Sequence, residues 1–434
     1  MEPAPTKPKR RFDGWRIVTA GAAIQATQSA LMQNSFSFYA KVLKDEFGWS
    51  STAINIAYSL NRLESGLIGP PQGMLVTRFG ARRVMRFGAV LMAVGMLLFS
   101  RLHNLGQFYG FYLIMALGAS LAGFMTITIV TVNWFERRRA TALAMQGNGF
   151  AIGGMAVPLV ALALERFGWR TTAAGSAVLT LLIVLPLTTL FHQRPADVGQ
   201  DVDGLTDEER AALPPTRRVQ SSVHFTAAEA VRTRAFWCIS LGHTLALSVV
   251  SGVSANLALY LSNERGWRLA EAGLVAGLLP LLQVVGQFGA GYLGDRYNNR
   301  VIVCSAMLGH VAGILLLGYA ADRWMVWAFI PLHGLAWGLR GPLMQSMRAD
   351  YFGASDFGKI MGWSSLIMML GQIAGPLIAG IAKDQTGSYT PGFVIIAALA
   401  GVGFGFFLLS TPPKPPVRTD TALAGPSAPA LSPR

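Results

Sequence analysis

Charged residues are scarce in this sequence, where Asp, Glu, Lys and Arg together make up 13% of the 434 residues. An ordinary soluble chain carries roughly 25% of these residues. Hydrophobic residues reach 52%, and the mean hydropathy is +0.43. Water is therefore not the solvent for most of the surface, which excludes a cytosolic enzyme, a secreted domain and a disordered scaffold.

Cysteine is equally scarce, since only Cys238 and Cys304 occur, each within an apolar stretch. They provide neither a disulfide framework nor the spacing of a metal site, and we interpret them as small buried hydrophobes. The sequence has no phosphate-binding G-x-x-x-x-G-K-[ST] motif, which excludes an ATP-driven pump for this chain. We therefore predict that it is not an enzyme and uses no metal or cofactor.

Acidic residues are outnumbered, with 22 Asp and Glu against 36 Lys and Arg, a net charge of +14. In a soluble protein this excess would suggest nucleic acid as a partner, but this chain has little soluble surface to offer. In a membrane protein, surplus Lys and Arg are expected in cytoplasmic loops. We therefore predict a lipid bilayer, and no nucleic acid, as the partner.

Long apolar runs are plentiful, and about twelve of them reach the ~20 residues that a transmembrane helix needs. They lie near 15–40, 51–76, 84–101, 106–134, 140–164, 170–191, 235–262, 270–294, 300–320, 324–350, 357–381 and 390–411. The predicted organisation is a tail (1–14), a first bundle (15–191), a linker (192–234), a second bundle (235–411) and a disordered tail (412–434).

The Lys and Arg residues divide unequally between the two predicted sides of the membrane. With the N-terminus inside, 25 lie on that side and 9 on the other, while Arg62 and Arg340 fall within spans. The positive-inside rule then places both termini in the cytoplasm. We expect a monomeric, multi-pass protein of the cell (inner) membrane.

An internal repeat with an offset of 218 residues relates the two bundles. Its anchors are Gly48-Trp49 with Gly266-Trp267, Gly73 and Arg78 with Gly291 and Arg296, and Gly153 and Pro158 with Gly371 and Pro376. The predicted fold class is an all-α membrane protein with twelve transmembrane helices in two pseudo-symmetric six-helix bundles. A repeat of this kind places a substrate site near the middle of the membrane, between the halves.

The loops after the second and eighth spans resemble the G-x-L-x-D-R-x-G-R-[KR] pattern of the major facilitator superfamily. The second copy keeps Gly291, Leu293, Asp295 and Arg296, and the first keeps Gly73, Leu75, Arg78, Gly80, Arg82 and Arg83. The resemblance covers residues ~14–411 and implies that these loops control rocking of the two bundles. Because Thr77 replaces the acid in the first copy, we expect a weaker lock in that half.

Several segments resemble the monocarboxylate and oxalate/formate transporter group. They are Asp13-Gly14-Trp15, Trp134-Phe135-Glu136-Arg137-Arg138-Arg139-Ala140 and Arg194-Pro195-Ala196-Asp197-Val198-Gly199. The resemblance implies a small organic anion, such as a monocarboxylate, carried with protons or exchanged for a counter-anion. It also implies a proton or substrate relay at Lys41, although snorkelling to the headgroups is an equal alternative. The substrate site does not carry over simply, because no arginine precedes Arg296 in the eighth span.

Three charges fall inside spans, and an intramembrane charge is a functional candidate by default. Arg340 shares a helical stripe with His333 and Trp337, an arrangement that suits a carboxylate ligand. Its alternatives are a structural pair with Glu64 or an unpaired charge near the inner vestibule. Because Glu64 is two residues after Arg62, the two side chains point to different sides of a helix.

Arg62 and Tyr58 share a stripe with small and polar residues, which indicates a face toward a cavity. Glu64 is a candidate proton site, or else the partner of a fixed ion pair. Asn256 and Gln287 are candidates for hydrogen bonds to a substrate or between helices. The alternative function is an exporter of amphipathic drugs or metabolites by proton antiport, which the glycines from Gly147 to Gly154 allow. A transporter-like sensor is a third class.

Overall fold

The computed structural model describes residues 12–49, 51–205, 209 and 224–416, and every regular element within them is a helix. The first half contains α1 (Gly14–Gln28), a π-helical turn (Ser29–Gln33), α2 (Phe36–Phe47), α3 (Ser51–Leu67), α4 (Gly69–Phe79), α5 (Ala81–Phe99), α6 (Leu105–Ala122), α7 (Phe124–Trp134), α8 (Arg139–Met155) and α9 (Val157–Leu187). The second contains α10 (Ala227–Val231), α11 (Arg234–Asn263), α12 (Leu269–Gly294), α13 (Asn299–Gly318), α14 (Arg323–Phe352), α15 (Phe357–Thr386) and α16 (Thr390–Leu409). Both predicted tails and the predicted linker are described only in part.

Several predicted spans of the first half consist of two consecutive helices. The fourth span is broken at Gly123, between α6 and α7. Within α9, Gly168 has φ 75°, a left-handed conformation that glycine adopts readily, and it joins the fifth span to the sixth. Of the described residues, seven helical segments are long and apolar enough to cross a membrane, and one of them, Arg139–Leu190, covers these two spans.

The 218-residue repeat is visible in the positions at which helices begin. The paired starts are Ser51 and Leu269, Ala81 and Asn299, Leu105 and Arg323, and Arg139 and Phe357. Some spans that are single continuous helices in the second half are divided into two helices in the first half. For example, α6 and α7 together correspond to α14. The prediction of two pseudo-symmetric helical bundles is confirmed.

Each bundle has its own buried core, and a few helices connect the two bundles. In the first, α5 packs on α6 and α1 on α8; in the second, α11 packs on α15 and α14 lies between α12 and α13. The bundles meet where α4 packs on α15 and where α8 packs on α12. The packed side chains of α11 to α16 form one continuous hydrophobic cluster.

The bundles approach each other closely at one end, which we call the closed end. We define it by α4 with the first turns of α15 and by the end of α12 with the first turn of α8. A Cβ atom built on Gly73 would lie 2.3 Å from the carbonyl oxygen of Gly358, and one on Gly362 would lie 2.5 Å from that of Gly69. Backbone therefore rests directly on backbone, and these glycines leave no room for a side chain. This end carries the basic loops and is the one predicted to be cytoplasmic.

We predict that Gly73→Ala opens the closed end. The added methyl group overlaps the Gly358 carbonyl, and overpacking of this kind costs ~1–3 kcal/mol, enough to shift a conformational ratio several-fold or more. Distances between spin labels on the two bundles, measured by pulsed electron paramagnetic resonance, report the shift. Gly380→Ala in α15 is the matched control, because its Cβ would meet nothing within 4 Å. An unchanged distance distribution in Gly73→Ala would contradict the prediction.

Candidate functional site

A central cavity of about 450 Å³ lies between the two bundles. Its polar lining consists of Gln25, Gln28, Gln33, Asn61, Arg62, Ser65, Gln72, Ser120, His243, Gln283, Gln287, Gln345, Ser365 and Gln372. Among the described residues that line it, no Asp, Glu or Lys occurs. A volume of this size suits a small molecule, and the wall offers it neutral amides and one guanidinium group.

A second cavity, of about 700 Å³, is bounded by α1, α8 and α9. Its wall is aliphatic and aromatic apart from a few threonine and serine residues. Because this cavity belongs to one bundle and the described residues of its wall include no charged group, relative motion of the bundles would not carry its contents across the membrane. The central cavity is therefore the candidate substrate site.

Arg62 projects from α3 into the central cavity and contacts the opposite bundle. Its Nη1 donates a hydrogen bond of 2.9 Å to Oε1 of Gln372 on α15. The structure therefore places this predicted residue on the cavity wall, where its charge faces the space between the bundles. The side chain of Tyr58, from the same predicted stripe, lies outside the described residues.

Glu64 lies behind the cavity wall and has only hydroxyl partners. Its Oε2 accepts hydrogen bonds from Ser120 at 3.1 Å and from Ser65 at 3.4 Å, and both serines line the cavity. Its Oε1 is buried without a hydrogen-bond partner. None of the ion pairs found among the described residues includes Glu64, so the expected alternative of a fixed ion pair is not realised there.

Arg340 lies inside the second bundle rather than on the cavity wall that the sequence suggested. Its side chain is buried, with Nη2 donating to the carbonyl of Ala246 at 3.3 Å and Nε donating to Nε2 of His310 at 3.4 Å. The following residues, Gly341 and Pro342, line the cavity instead. The stripe of His333, Trp337 and Arg340 did not show which way Arg340 points, because α14 is buried on most of its circumference. Helical periodicity alone does not distinguish a face toward the bundle interior from a face toward the cavity.

Arg340 also determines the tautomers of two buried histidines. A guanidinium group only donates, so Nε2 of His310 must accept and the proton of that ring must lie on Nδ1. That Nδ1 donates to Nδ1 of His333 at 3.1 Å, which leaves the proton of His333 on Nε2. This last nitrogen is buried without a partner, and both rings are neutral in this arrangement. Trp337 packs against the His333 ring, outside the cavity.

Arg348 is a second buried arginine, and sequence reasoning missed it. It is fully buried and donates to Oε1 of Gln345 at 2.9 Å and to Nδ1 of His243 at 3.2 Å. The predicted span, 324–350, contained Arg348 close to its end, and the residue was counted with the cytoplasmic charges, whereas α14 continues to Phe352 and buries it. Its spacing of eight residues from Arg340 was the available signal, because it places both on one helix face.

Comparison with known proteins supports the fold and the predicted resemblance. The family model of the Major Facilitator Superfamily matches residues 22–267 and 239–432. The chain belongs to the major facilitator superfamily. It is 26% identical over 411 residues to monocarboxylate transporter 11 of Homo sapiens, covering 92% of this chain and 83% of that protein. It is 28% identical over 406 residues to monocarboxylate transporter 3 of Mus musculus, covering 90% and 78%.

A solved structure shows the same architecture. The crystal structure of the human organic anion transporter MFSD10 (TETRAN) aligns with a TM-score of 0.69 at 17% identity, covering 93% of this chain and 100% of that chain. The protein is thus a multi-pass membrane transporter that resembles the monocarboxylate group, and like these relatives it is not an enzyme. The predictions of the superfamily and of its fold are confirmed.

The remaining predicted binding residues occupy different places in this superfamily fold. Gln287 lines the cavity, while Asn256 donates to the carbonyl of Gly252 in its own helix at 2.9 Å and does not line it. The side chain of Lys41 lies outside the described residues.

The predicted gating residues form two unequal loops. Asp295 accepts hydrogen bonds from the backbone nitrogens of Ala140 at 3.0 Å and Thr141 at 3.3 Å, and from the Thr141 hydroxyl. Burial at this contact raises the pKa of Asp295 above its ordinary value, although the hydrogen bonds oppose the shift. The equivalent Thr77 donates to the carbonyl of Gly73 in its own helix, and among the described residues its hydroxyl accepts no hydrogen bond from the other bundle.

The other loop residues hold the ends of helices or stack on rings. Gly80, with φ 82°, ends α4, and Arg82 donates to the carbonyls of Phe191 and Thr189 at the end of the first bundle. The guanidinium groups of Arg78 and Arg296 lie over the rings of neighbouring aromatic residues. Gly291 contacts Thr141 of α8 across the closed end.

An ion pair that sequence reasoning missed also crosses between the bundles. Arg139 at the start of α8 pairs with Asp350 near the end of α14. Asn299 donates to the same carboxylate at 3.3 Å. Two carboxylates of the second bundle, those of Asp295 and Asp350, therefore hold the first turn of α8 at the closed end.

We predict opposite shifts for two substitutions at the equivalent loop positions. Asp295→Asn removes a charged acceptor from the first turn of α8 and weakens the closed end, whereas Thr77→Asp supplies one near the first turn of α15 and strengthens it. Hydrogen bonds to charged groups contribute ~1.5–3 kcal/mol, so each conformational ratio shifts tenfold or more. The same spin-label distances measure both variants, with Thr77→Asn as the uncharged control. If Asp295→Asn and Thr77→Asp shift the distance distribution in the same direction, the predicted difference between the two loops is wrong.

Proposed function

We propose that this protein transports small organic anions of the monocarboxylate class across the cell (inner) membrane by alternating access. The observation that carries the proposal is the sign of the charge around the central cavity. Arg62 lines one wall, Arg340 and Arg348 are buried in the second bundle, and no described acidic residue lines the cavity. The names of the two monocarboxylate transporter relatives support the same substrate class.

The electrostatics of the second bundle favour an anionic cargo. Neither Arg340 nor Arg348 forms an ion pair among the described residues, and both donate to neutral acceptors. A buried charge without a counter-ion costs several kcal/mol, and an anion in the adjacent cavity reduces that cost. A cationic drug would increase it, which argues against the exporter alternative. Arg340 would thus favour the anion through its field rather than by direct contact.

Glu64 is the group that we propose carries the proton. It is the carboxylate that reaches cavity-lining residues in the first bundle, through Ser65 and Ser120, and it forms no ion pair among the described residues. A carboxylate held only by hydroxyl groups can be neutral or charged without breaking an ion pair. Loading of a proton on Glu64 together with a monovalent anion near Arg62 leaves the net charge of the cavity region unchanged, which corresponds to an electroneutral 1:1 symport.

The closed end defines the direction of access in this conformation. Because glycine backbones meet between α4 and α15, we infer that the cavity is closed on that side. With the basic loops facing the cytoplasm, both termini lie inside and this state faces outward. Release then requires the bundles to rock apart at the closed end.

We predict that Arg62→Gln lowers monocarboxylate uptake into proteoliposomes at least tenfold. The substitution removes the one described charge on the cavity wall, and a fixed guanidinium contributes several kcal/mol to carboxylate recognition when desolvated. The assay uses a panel of radiolabelled formate, lactate, pyruvate and benzoate. Arg166→Gln, an exposed residue outside the cavity, is the control. Wild-type rates in Arg62→Gln would remove this arginine from the site.

We predict that Glu64→Gln abolishes uptake driven by a pH gradient but retains counterflow of labelled anion. Glutamine keeps the hydrogen bonds with the serines in a neutral form, so the exchange half of the cycle continues without proton transfer. Glu165→Gln, at an exposed position, is the control. If wild-type uptake ignores the pH gradient and Glu64→Gln changes neither activity, the transporter is an anion exchanger and Glu64 has no coupling role.

A further inference from the structure

We propose that Arg348 fixes His243 and Gln345 as hydrogen-bond donors at the wall of the central cavity, and that this pair binds the carboxylate group of the substrate. The inference rests on the proposed function, because it places the anion's charged group at one point of the cavity. Arg348 acts as a positioning residue that need not touch the substrate itself.

The side chain of Arg348 ends in a guanidinium group, which only donates hydrogen bonds. It carries five N–H donors and no acceptor, so every polar atom that it meets must be an acceptor. Nη1 of Arg348 meets Oε1 of Gln345 at 2.9 Å, and Nη2 meets Nδ1 of His243 at 3.2 Å. The sulfur atoms of Met361 and Met368 lie at 3.7 and 3.8 Å from the same two nitrogens.

These contacts determine the free atoms of both partners. Because Oε1 of Gln345 accepts from Arg348, the NH₂ group of this amide is the part left for a ligand. Because Nδ1 of His243 accepts, the ring is neutral and its proton must lie on Nε2. Among the described residues neither nitrogen has a hydrogen-bond acceptor, neither is fully buried, and both residues line the cavity.

The cavity therefore has a patch, defined by His243 and Gln345, that offers donors and no acceptor. Arg348 stands behind both side chains with its charge unneutralised by any described carboxylate, and its Nε is buried without a partner. Donors that are polarised by an adjacent cation bind an oxyanion more strongly than neutral donors do.

This chemistry selects among related ligands. A carboxylate presents two acceptor oxygens and no donor, which matches the patch, while an amide of the same acid places an NH₂ group against one of the donors. A site built around fixed hydrogen bonds rejects an analogue that leaves its polar groups unpaired. We therefore expect discrimination between an acid and its amide to depend on His243, Gln345 and Arg348 rather than on the cavity as a whole.

The test uses the full-length protein in proteoliposomes and two isosteric variants. Gln345→Glu replaces the amide donor with a carboxylate that still accepts from Arg348, and we expect it to raise the KM for acetate and lactate at least thirtyfold. Gln33→Glu places the same charge on the cavity lining in the other half and is the matched control, with a much smaller effect expected. Competition by acetamide and lactamide against labelled lactate should be weak in the wild-type protein.

A second readout reports the tautomer and does not depend on transport. The chain has six histidines, so selective ¹⁵N labelling gives few signals, and His243→Asn assigns the one of interest. We expect solid-state NMR to show protonated Nε2 and unprotonated Nδ1 at His243, with a shift of the Nε2 signal when acetate is added. Arg348→Gln should release this tautomer preference.

Each outcome bears on one proposal or the other. If the wild-type protein transports the acids but Gln345→Glu behaves like Gln33→Glu, or if His243 carries its proton on Nδ1, the donor patch is wrong and the proposed function stands. If the wild-type protein moves none of the acids, the proposed function fails and the inference fails with it. A selective loss in Gln345→Glu together with the Nε2 tautomer supports both.

Discussion

The guanidinium groups of two arginines on α14, Arg340 and Arg348, determine how the polar side chains around them are arranged in the second bundle. Neither group has a carboxylate partner among the described residues, so each is held by neutral acceptors: the Ala246 carbonyl, the His310 ring, the His243 ring and the Gln345 amide. A guanidinium only donates, which obliges these histidines to remain neutral. The result is a bundle whose interior is cationic next to a cavity whose described lining has no acid.

The repeat supplies the scaffold, and departures from the repeat supply the chemistry. Helices begin 218 residues apart in four pairs, yet the positions equivalent to Arg340 and Arg348 are Ala122 and Val130, and those equivalent to Arg62 and Glu64 are Pro280 and Leu282. The acidic anchor of the closed end is likewise present in one copy and replaced by Thr77 in the other. Pseudo-symmetry therefore fixes where the cavity lies, while each half contributes a different kind of charge to its surroundings.

The sequence was sufficient for the fold because the relevant signals are local. Apolar runs predicted the spans, and anchors such as Gly73 and Gly291 revealed the repeat. The direction in which each side chain points from its helix was harder to predict. The small and polar neighbours of Arg62 correctly indicated the cavity wall. The stripe of Arg340, however, faces the interior of the bundle, on a helix that is buried on most sides. Arg348 and the Arg139–Asp350 pair were missed because they lie at helix ends, where a predicted boundary decides between a loop and a buried position.

The closed end and the cavity are mechanically connected through α15. This helix begins with glycines that rest on the backbone of α4 and continues to Gln372, which accepts the hydrogen bond from Arg62. Backbone contacts at glycine tolerate little sliding, because any lateral shift brings a neighbouring side chain into the same narrow gap. The α4–α15 contact must therefore separate by rotation of whole bundles. An anion held between Arg62 of the first bundle and the donors of the second would draw the bundles together on the cavity side, and that attraction would offset the backbone packing that is broken when the closed end opens.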